Sequence, residues 1–191
     1  MKFSQSIKIG KRKISASEPV FIIAEAGVNH GGNIQLAFKL IDIAAHAGAD
    51  AVKFQAFRTE HLILSNVEKA PYQKNTTSKT ESQFAMLKKL ELKNENYKQL
   101  KDYCKKKNIT FLITPFDEIS LQELERVGVE AYKIASTDTT NLPFLKKIAK
   151  TKKAILLSTG MCYMNEVESA LKEISQWNKN VILLQCTANY F

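Results

Sequence analysis

The segment Asn33-Ile-Gln-Leu-Ala-Phe-Lys-Leu-Ile-Asp-Ile-Ala-Ala-His-Ala-Gly48-Ala-Asp-Ala-Val-Lys-Phe-Gln55 changes its hydrophobic period midway, and that change points to the fold class. Its first half places Leu36, Leu40, Ile43 and Ala44 at three- and four-residue spacing behind Asn33, a residue type that caps helices, and stops at Gly48. Its second half, Ala51 to Phe54, is an apolar run of strand length. Strands and helices in alternation build a parallel sheet with right-handed crossovers.

The same alternation continues outward in both directions. Short, often β-branched runs recur at Phe21 to Ala24, Ile109 to Ile113, Ala131 to Ile134, Ala154 to Leu157 and Val181 to Leu184. Helical patterns stand between them: Asn94 opens Tyr97, Leu100 and Cys104, and Ser120-Leu-Gln-Glu123 reads as a capping box for a helix ending at Gly128. Asn141 with Pro143 opens the next, and Asn165 opens Val167, Ala170, Leu171 and Ile174. Ahead of the first run, Ile7-Lys-Ile-Gly-Lys-Arg-Lys-Ile14 alternates apolar and polar residues around a glycine, the pattern of a β-hairpin. The expected organisation is a hairpin over residues 1–18 and an α/β domain over 19–191, with about six βα units of an incomplete (β/α)8 TIM barrel. A doubly wound nucleotide-binding sheet shares the alternation, but no GxGxxG follows the first strand. More than fifty residues separate the second and third strands, including a Thr/Ser/Lys-rich stretch from Arg58 to Glu81, and so long a connection is expected to be functional.

The 191 residues are 45% apolar, enough for a substantial core, and carry a net charge of +9. That composition excludes a disordered chain. Lys2, Lys8, Lys11, Arg12 and Lys13 precede no apolar stretch of signal-peptide length, and later apolar runs are strand-sized, so a cytoplasmic protein with no membrane partner is expected. Cys104, Cys162 and Cys186 form neither a disulfide framework nor a CxxC pattern and read as reduced packing residues. The lysine surplus, concentrated in Cys104-Lys-Lys-Lys-Asn108 and Leu145-Lys-Lys-Ile-Ala-Lys-Thr-Lys-Lys153, reads as solvated helix faces and C-termini; no nucleic-acid partner is expected.

Parallel barrels hold ligands at the carboxyl ends of their strands. Here every run finishes in chemically useful side chains. Glu25 and Asn29-His-Gly-Gly32 follow the first, Lys53 and Gln55 lie in the second, and Thr114-Pro-Phe-Asp117 ends the third. Lys133, Ser136 and Asp138 accompany the fourth, Ser158-Thr-Gly-Met161 the fifth and Gln185-Cys-Thr187 the sixth. Lys53 and Lys133 lie in otherwise apolar strands, where an unpaired ammonium is costly, so each needs an acid or a bound anion. Two such lysines beside hydroxyls at one mouth suit a phosphate plus a carboxylate. Glu25 either orients a substrate hydroxyl or pairs with one of the lysines; Asp138 either holds a hydroxyl or braces its loop. His30 either ligates a metal or braces its Gly-rich loop.

On Ile23-Ala-Glu-Ala-Gly-Val-Asn-His30, Gly48-Ala-Asp-Ala-Val-Lys-Phe-Gln55, Thr114-Pro-Phe-Asp117, Ala131-Tyr-Lys-Ile-Ala-Ser136, Asn141-Leu-Pro143 and Leu157-Ser-Thr-Gly-Met161, the chain resembles the N-acetylneuraminate (sialic acid) synthase family. Tyr72-Gln73, Glu81-Ser-Gln83 and Met86-Leu87 look more like its sialic and legionaminic acid branch than its pseudaminic one. The resemblance implies a transferase that condenses phosphoenolpyruvate with an N-acylated amino sugar, N-acetylmannosamine or a diacetamido analogue, to a nonulosonic acid and releases phosphate. It implies that Lys53, Thr114, Lys133, Ser136 and Ser158 bind phosphoenolpyruvate while Glu25, Gln55, Asp138 and Tyr190 face the sugar, with Glu25, Lys53 and Lys133 as catalytic candidates. A divalent metal, Mn2+ or Mg2+, would polarise the sugar aldehyde. Its two histidine ligands are implied to lie in a seventh and eighth βα unit outside this sequence, as is a C-terminal antifreeze-like domain that completes the site in a homodimer. The chain alone is therefore expected to be inactive, with an open edge on its sixth strand.

Three positions depart from the family pattern. Asp138 stands where Glu is common, and is one methylene shorter. Gln185 replaces the usual His, so it forms hydrogen bonds but takes up no proton. Ala188 replaces an asparagine, with Asn189 beside it. Two other functions fit the residues: a phosphoenolpyruvate-dependent synthase for another aldose, and an inactive phosphosugar-binding module.

Overall fold

Strand order in the main sheet follows chain order, and this separates the two candidate architectures. The computed structural model describes residues 1–67, 69 and 81–187. It contains an antiparallel hairpin, β1 (Ile7–Ile9) with β2 (Arg12–Ile14), and a parallel sheet. The sheet comprises β3 (Ile23–Gly27), β4 (Ala51–Ala56), β5 (Thr110–Pro115), β6 (Ala131–Ile134), β7 (Ala154–Ser158) and β8 (Val181–Leu184). Its order, β3-β4-β5-β6-β7-β8, never reverses. A doubly wound sheet reverses at a switch point, whereas a singly wound one curls into a barrel. The chain is an incomplete (β/α)8 barrel with an N-terminal hairpin, as its sequence predicts.

Helices cover the outer face: α1 (Ile34–His46) after β3; α2 (Thr59–Leu62), α3 (Gln83–Leu90) and α4 (Asn94–Lys106) between β4 and β5; α5 (Glu118–Val127); α6 (Leu142–Lys150), preceded by a 3-10 turn Ser136–Asp138; and α7 (Met164–Ser175). Period-two alternation sorts the strand side chains. Val52, Phe54, Phe111, Ile113, Tyr132, Ile134, Ile155 and Leu157 pack with Ile41, Leu100, Leu124, Leu145 and Ile148 of the helices. Ala51, Leu112, Ala131, Ala154 and Leu156 form a second cluster, joined by Ile7 and Ile9 of the hairpin. The hairpin thus floors the barrel, and each isoleucine so buried contributes about 1.5–3 kcal/mol. Among the described residues β3 and β8 each keep one unpaired edge, and Leu183 on β8 is 46% exposed. No helix among them is long and apolar enough to cross a membrane.

Capping follows the sequence at two helices and departs from it at three. Asn33 Oδ1 accepts the Gln35 and Leu36 amides at 2.8 and 3.3 Å, and Asn141 Oδ1 accepts the Phe144 amide at 3.3 Å with Pro143 in the first turn. The helix expected to start at Ser120 starts earlier, capped by Asp117, whose Oδ1 accepts the Ser120 amide at 2.7 Å. Its other oxygen accepts the Arg58 amide at 2.8 Å and the Ser120 hydroxyl at 2.7 Å. A carboxylate needed by the β4–α2 turn takes the cap, and Ser120 donates to it rather than capping in its own right. Asn94 is the first residue of α4 rather than its cap, and the Lys93 amide donates to Asn96 Oδ1 at 3.1 Å. Asn165 lies inside α7, where Glu166 folds back to accept the Tyr163 amide at 2.7 Å. The first strand also begins later than expected, at Ile23, and reaches Gly27, which puts Glu25 within it.

Asp117→Ala leaves the Arg58 amide and the start of α5 without their acceptor. A loss of about 2–3 kcal/mol in unfolding free energy is expected. Urea titration checks it, with Asp117→Asn expected to recover part of the loss.

Candidate active site

Parallel register gathers the polar residues of neighbouring strands at the carboxyl end of the sheet. Glu25 pairs with Lys53 and Gln55 with Thr114 across neighbouring strands, while Lys133 stands beside Leu156 and Ser158 beside Leu184. Lys53 lies two residues beyond Ala51 and Lys133 two beyond Ala131, so both share the inner face with its apolar cluster, in register with that cluster's Leu112 and Leu156.

The two ammonium groups are neutralised unequally. Lys53 is 8% exposed, and its Nζ lies 2.5 Å from Glu25 Oε2. Of the two readings of Glu25, the ion pair is the one the structure shows. Lys133 has no carboxylate within ion-pair distance among the described residues; its Nζ donates to the Ile134 carbonyl at 3.0 Å. Burial first, and then the neighbouring Lys53 charge, push the Lys133 ammonium down to about 8 against the weaker opposing pull of Cys186 and Glu25. Two cations beside a single carboxylate make a mouth that favours an incoming anion.

Hydroxyl groups surround this pair. Thr114 and Ser158 are buried, and Ser158 Oγ lies 3.2 Å from Cys186 Sγ. Ser136 Oγ accepts the Gly160 amide at 2.9 Å, which leaves its own proton free to donate. Thr139 Oγ1 donates to the Ser158 carbonyl at 2.6 Å and Thr159 Oγ1 to the Leu184 carbonyl at 3.0 Å, tying β7 to the strands on either side. Cys186 is thus a mouth residue and not the packing residue expected. Cys104 does pack, and burial raises its thiol to about 12.

On the β3–β4 side, Glu25 and Gln55 converge on Gly27, where the strand pairing shifts register. A Cβ at Gly27 would stand 3.1 Å from Glu25 Oε1 and 3.7 Å from Gln55 Nε2, and its φ of +53° favours glycine. Asp138 ends the 3-10 turn; burial raises its pKa, and its nearest partner, the Asn141 amide, is 3.4 Å away, too long to be a firm brace. His30 follows its bracing reading: Nδ1 accepts the Gly32 amide at 3.0 Å, the ring lies near Phe54, and burial lowers its pKa. Gln185 is exposed. Tyr190, Ala188, Asn189, Tyr72 and Gln73 lie outside the described residues. Among those described, no group of three or more His, Cys, Asp or Glu comes together to hold a metal ion.

Sequence reasoning missed Gly27 and Thr139 as parts of this mouth, and read Cys186 as a packing residue although it also placed it at a strand end. Position offered a signal for Cys186, since it belongs to a strand-end triplet. Thr139 and Gly27 act through contacts with strands that no local pattern specifies.

Comparison with known proteins gives a consistent picture. The sequence profile of the NeuB family matches residues 40–191. N,N'-diacetyllegionaminic acid synthase of Campylobacter jejuni is 51% identical over an alignment of 172 residues that covers 88% of this chain and 52% of that protein. The Legionella pneumophila protein of the same name is 43% identical over 190 residues, covering 94% and 53% respectively. The solved structure of N-acetylneuraminic acid synthetase from Leptospira borgpetersenii, in complex with citrate, superposes with a TM-score of 0.82 at 37% identity, over 99% of this chain and 61% of that one. The chain spans about half the length of the curated relatives it matches.

Proposed function

We propose that this chain, which belongs to the NeuB family and its sialic and legionaminic acid branch, is the phosphoenolpyruvate-binding part of a nonulosonic acid synthase. The observation that carries the proposal is the incompletely neutralised pair Lys53 and Lys133 at one strand-end mouth, with Glu25 as the nearby acid. Phosphate and carboxylate groups supply the missing charge through charge-assisted hydrogen bonds, with Thr114, Ser136 and Ser158 hydroxyls as further donors.

In the proposed reaction C3 of phosphoenolpyruvate attacks the aldehyde carbon of the open-chain sugar, forming the new carbon–carbon bond. Positive charge develops at C2, water adds there, and the tetrahedral intermediate expels phosphate as its C2–O bond breaks. Lys53 and Lys133 stabilise the charge on the leaving phosphate, prearranged by the strands that hold them. Anion binding draws Lys53 away from Glu25 and frees that carboxylate, half exposed at the mouth, to orient a sugar hydroxyl with Gln55 and Asp138. A divalent metal, Mn2+ or Mg2+, belongs to the proposed whole protein and would polarise the aldehyde. The described residues offer no ligand set for it. A homodimer, a cytoplasmic site of action and Tyr190 as a sugar contact complete the proposal.

The diacetamido sugar is the favoured acceptor, because both legionaminic acid synthases above are so named. Joining this chain to the C-terminal part of the Campylobacter relative tests it. Phosphate release should depend on acceptor and be faster with the diacetamido sugar than with N-acetylmannosamine. Binding of phosphoenolpyruvate without turnover on any acceptor would establish the inactive binding module instead, and turnover confined to another aldose would establish the other synthase.

A further inference from the structure

At the opposite end of the barrel, a cavity of about 610 Å³ opens between the hairpin turn, the end of α4 and the segment after α5. Ile109, Phe111 and Val129 give it an apolar lining. Its polar lining is dominated by cations: Lys11 and Arg12 from the hairpin and Lys101 and Lys105 from α4, against Asp50 and Glu130. Existing bonds leave much of the donor capacity unused. Arg12 is paired with Asp50, whose second oxygen accepts the Ile22 amide at 2.7 Å. Lys101 Nζ donates to the Val127 and Gly128 carbonyls at 2.8 and 2.9 Å, and Lys11 Nζ to Asn108 Oδ1 at 2.6 Å. The Lys105 carbonyl accepts the Asn108 amide at 3.2 Å, but the Lys105 Nζ makes no hydrogen bond or ion pair among the described residues. Since an ammonium carries three donors, Lys11, Lys101 and Lys105 all retain unused N–H groups.

The cations are crowded and the turn that carries two of them is fixed. Lys153, bonded to the Val129 carbonyl, is held below its ordinary pKa by burial and then by the Lys101 ammonium. Gly10, at φ +60°, sits so close to β5 that a Cβ there would meet Thr110 Oγ1 at 2.6 Å. Ile7 and Ile9 anchor the same hairpin in the barrel floor. Carbonyl capping accounts for Lys101 and Lys153; it does not account for Lys11 and Lys105 meeting at the same concave surface from elements far apart in sequence.

We infer that this cavity is a second anion-binding site, suited to a small, multiply charged phosphate compound and separated from the mouth by the inner apolar layer of the barrel. Lysines act there as point charges on phosphate oxygens, and the anchored hairpin reduces the ordering cost of binding.

Calorimetric titration of the whole chain with inorganic pyrophosphate tests the inference. Lys53→Met should silence the mouth and leave binding at the floor in place. In that background, Lys11→Gln with Lys105→Gln should weaken pyrophosphate at least about tenfold, while Glu130→Gln, which removes a repelling carboxylate beside Gly10, should tighten it. Both lysines are exposed, and unchanged circular dichroism would show that the fold survives. Undiminished affinity in the double variant would mean diffuse attraction to a basic protein and would overturn the inference. So would complete loss of binding in Lys53→Met alone.

Discussion

Lys53→Ala is expected to weaken phosphoenolpyruvate binding to this chain by about a hundredfold, and in the proposed extended protein to lower acceptor-dependent phosphate release by roughly three orders of magnitude or more. Two effects add. The variant loses a charged donor whose worth in a mostly buried setting is about 1.5–3 kcal/mol, and it leaves the Glu25 carboxylate without its partner at 2.5 Å, facing an incoming anion. The second effect has its own signature. Adding Glu25→Gln to Lys53→Ala should restore part of the binding, because the repelling charge is gone, but not turnover, because no cation returns. Lys53→Arg should recover little, since a planar guanidinium does not fit the space of an ammonium that is only 8% exposed. Calorimetry reads the binding and phosphate release reads the turnover. Binding within threefold of the parent in Lys53→Ala would remove the proposed site.

Lys133→Met is expected to strengthen the fold while weakening the ligand. Burial and Lys53 hold the folded-state pKa at about 8, below the ordinary 10.5, so the unfolded chain binds more protons than the folded one between those values. Stability therefore rises with pH across about 8 to 10.5, and below about 8 the folded protein carries the full cost of a charged, half-buried lysine. Methionine removes that cost. At pH 7 the variant should be more stable by about 1–2 kcal/mol, after allowance for the remaining solvent contact, and its stability should no longer climb over that pH window. Affinity for phosphoenolpyruvate should fall in the variant. In the parent protein it should decline as pH rises through about 8, as the ammonium loses its proton. Binding near pH 8 should also take up protons, seen as a dependence of the calorimetric heat on the buffer. Denaturant titrations at several pH values test the first half. A variant less stable than its parent at pH 7, or an affinity that stays flat from pH 7 to 9.5, would contradict this account of Lys133.

Much of the mouth was legible because strand periodicity is local. Once Ala51 to Phe54 and Ala131 to Ile134 are read as strands, two-residue steps put Lys53 and Lys133 on the same faces as Ala51 and Ala131 without knowledge of any neighbour. The helix caps at Asn33 and Asn141 were legible for the same reason, since a capping side chain bonds amides two or three residues away. Ser120 misled because Asp117 is drawn into the cap by an amide 59 positions earlier in the chain, a demand that no window around Ser120 contains. Cys186 was misread because its partner, Ser158, belongs to the neighbouring strand.

The order of elements, the alternation of faces along each strand and most of the polar residues at the strand ends follow from the sequence alone, since chain geometry fixes them over a few residues. Tertiary structure decided which lysine Glu25 neutralises and which it leaves charged, and so which side chain is shifted toward neutrality. It also decided that Lys11, Lys101 and Lys105 line one cavity at the barrel floor. Charge interactions depend on distance through space and on burial, and both are set only when elements distant along the chain have closed on one another.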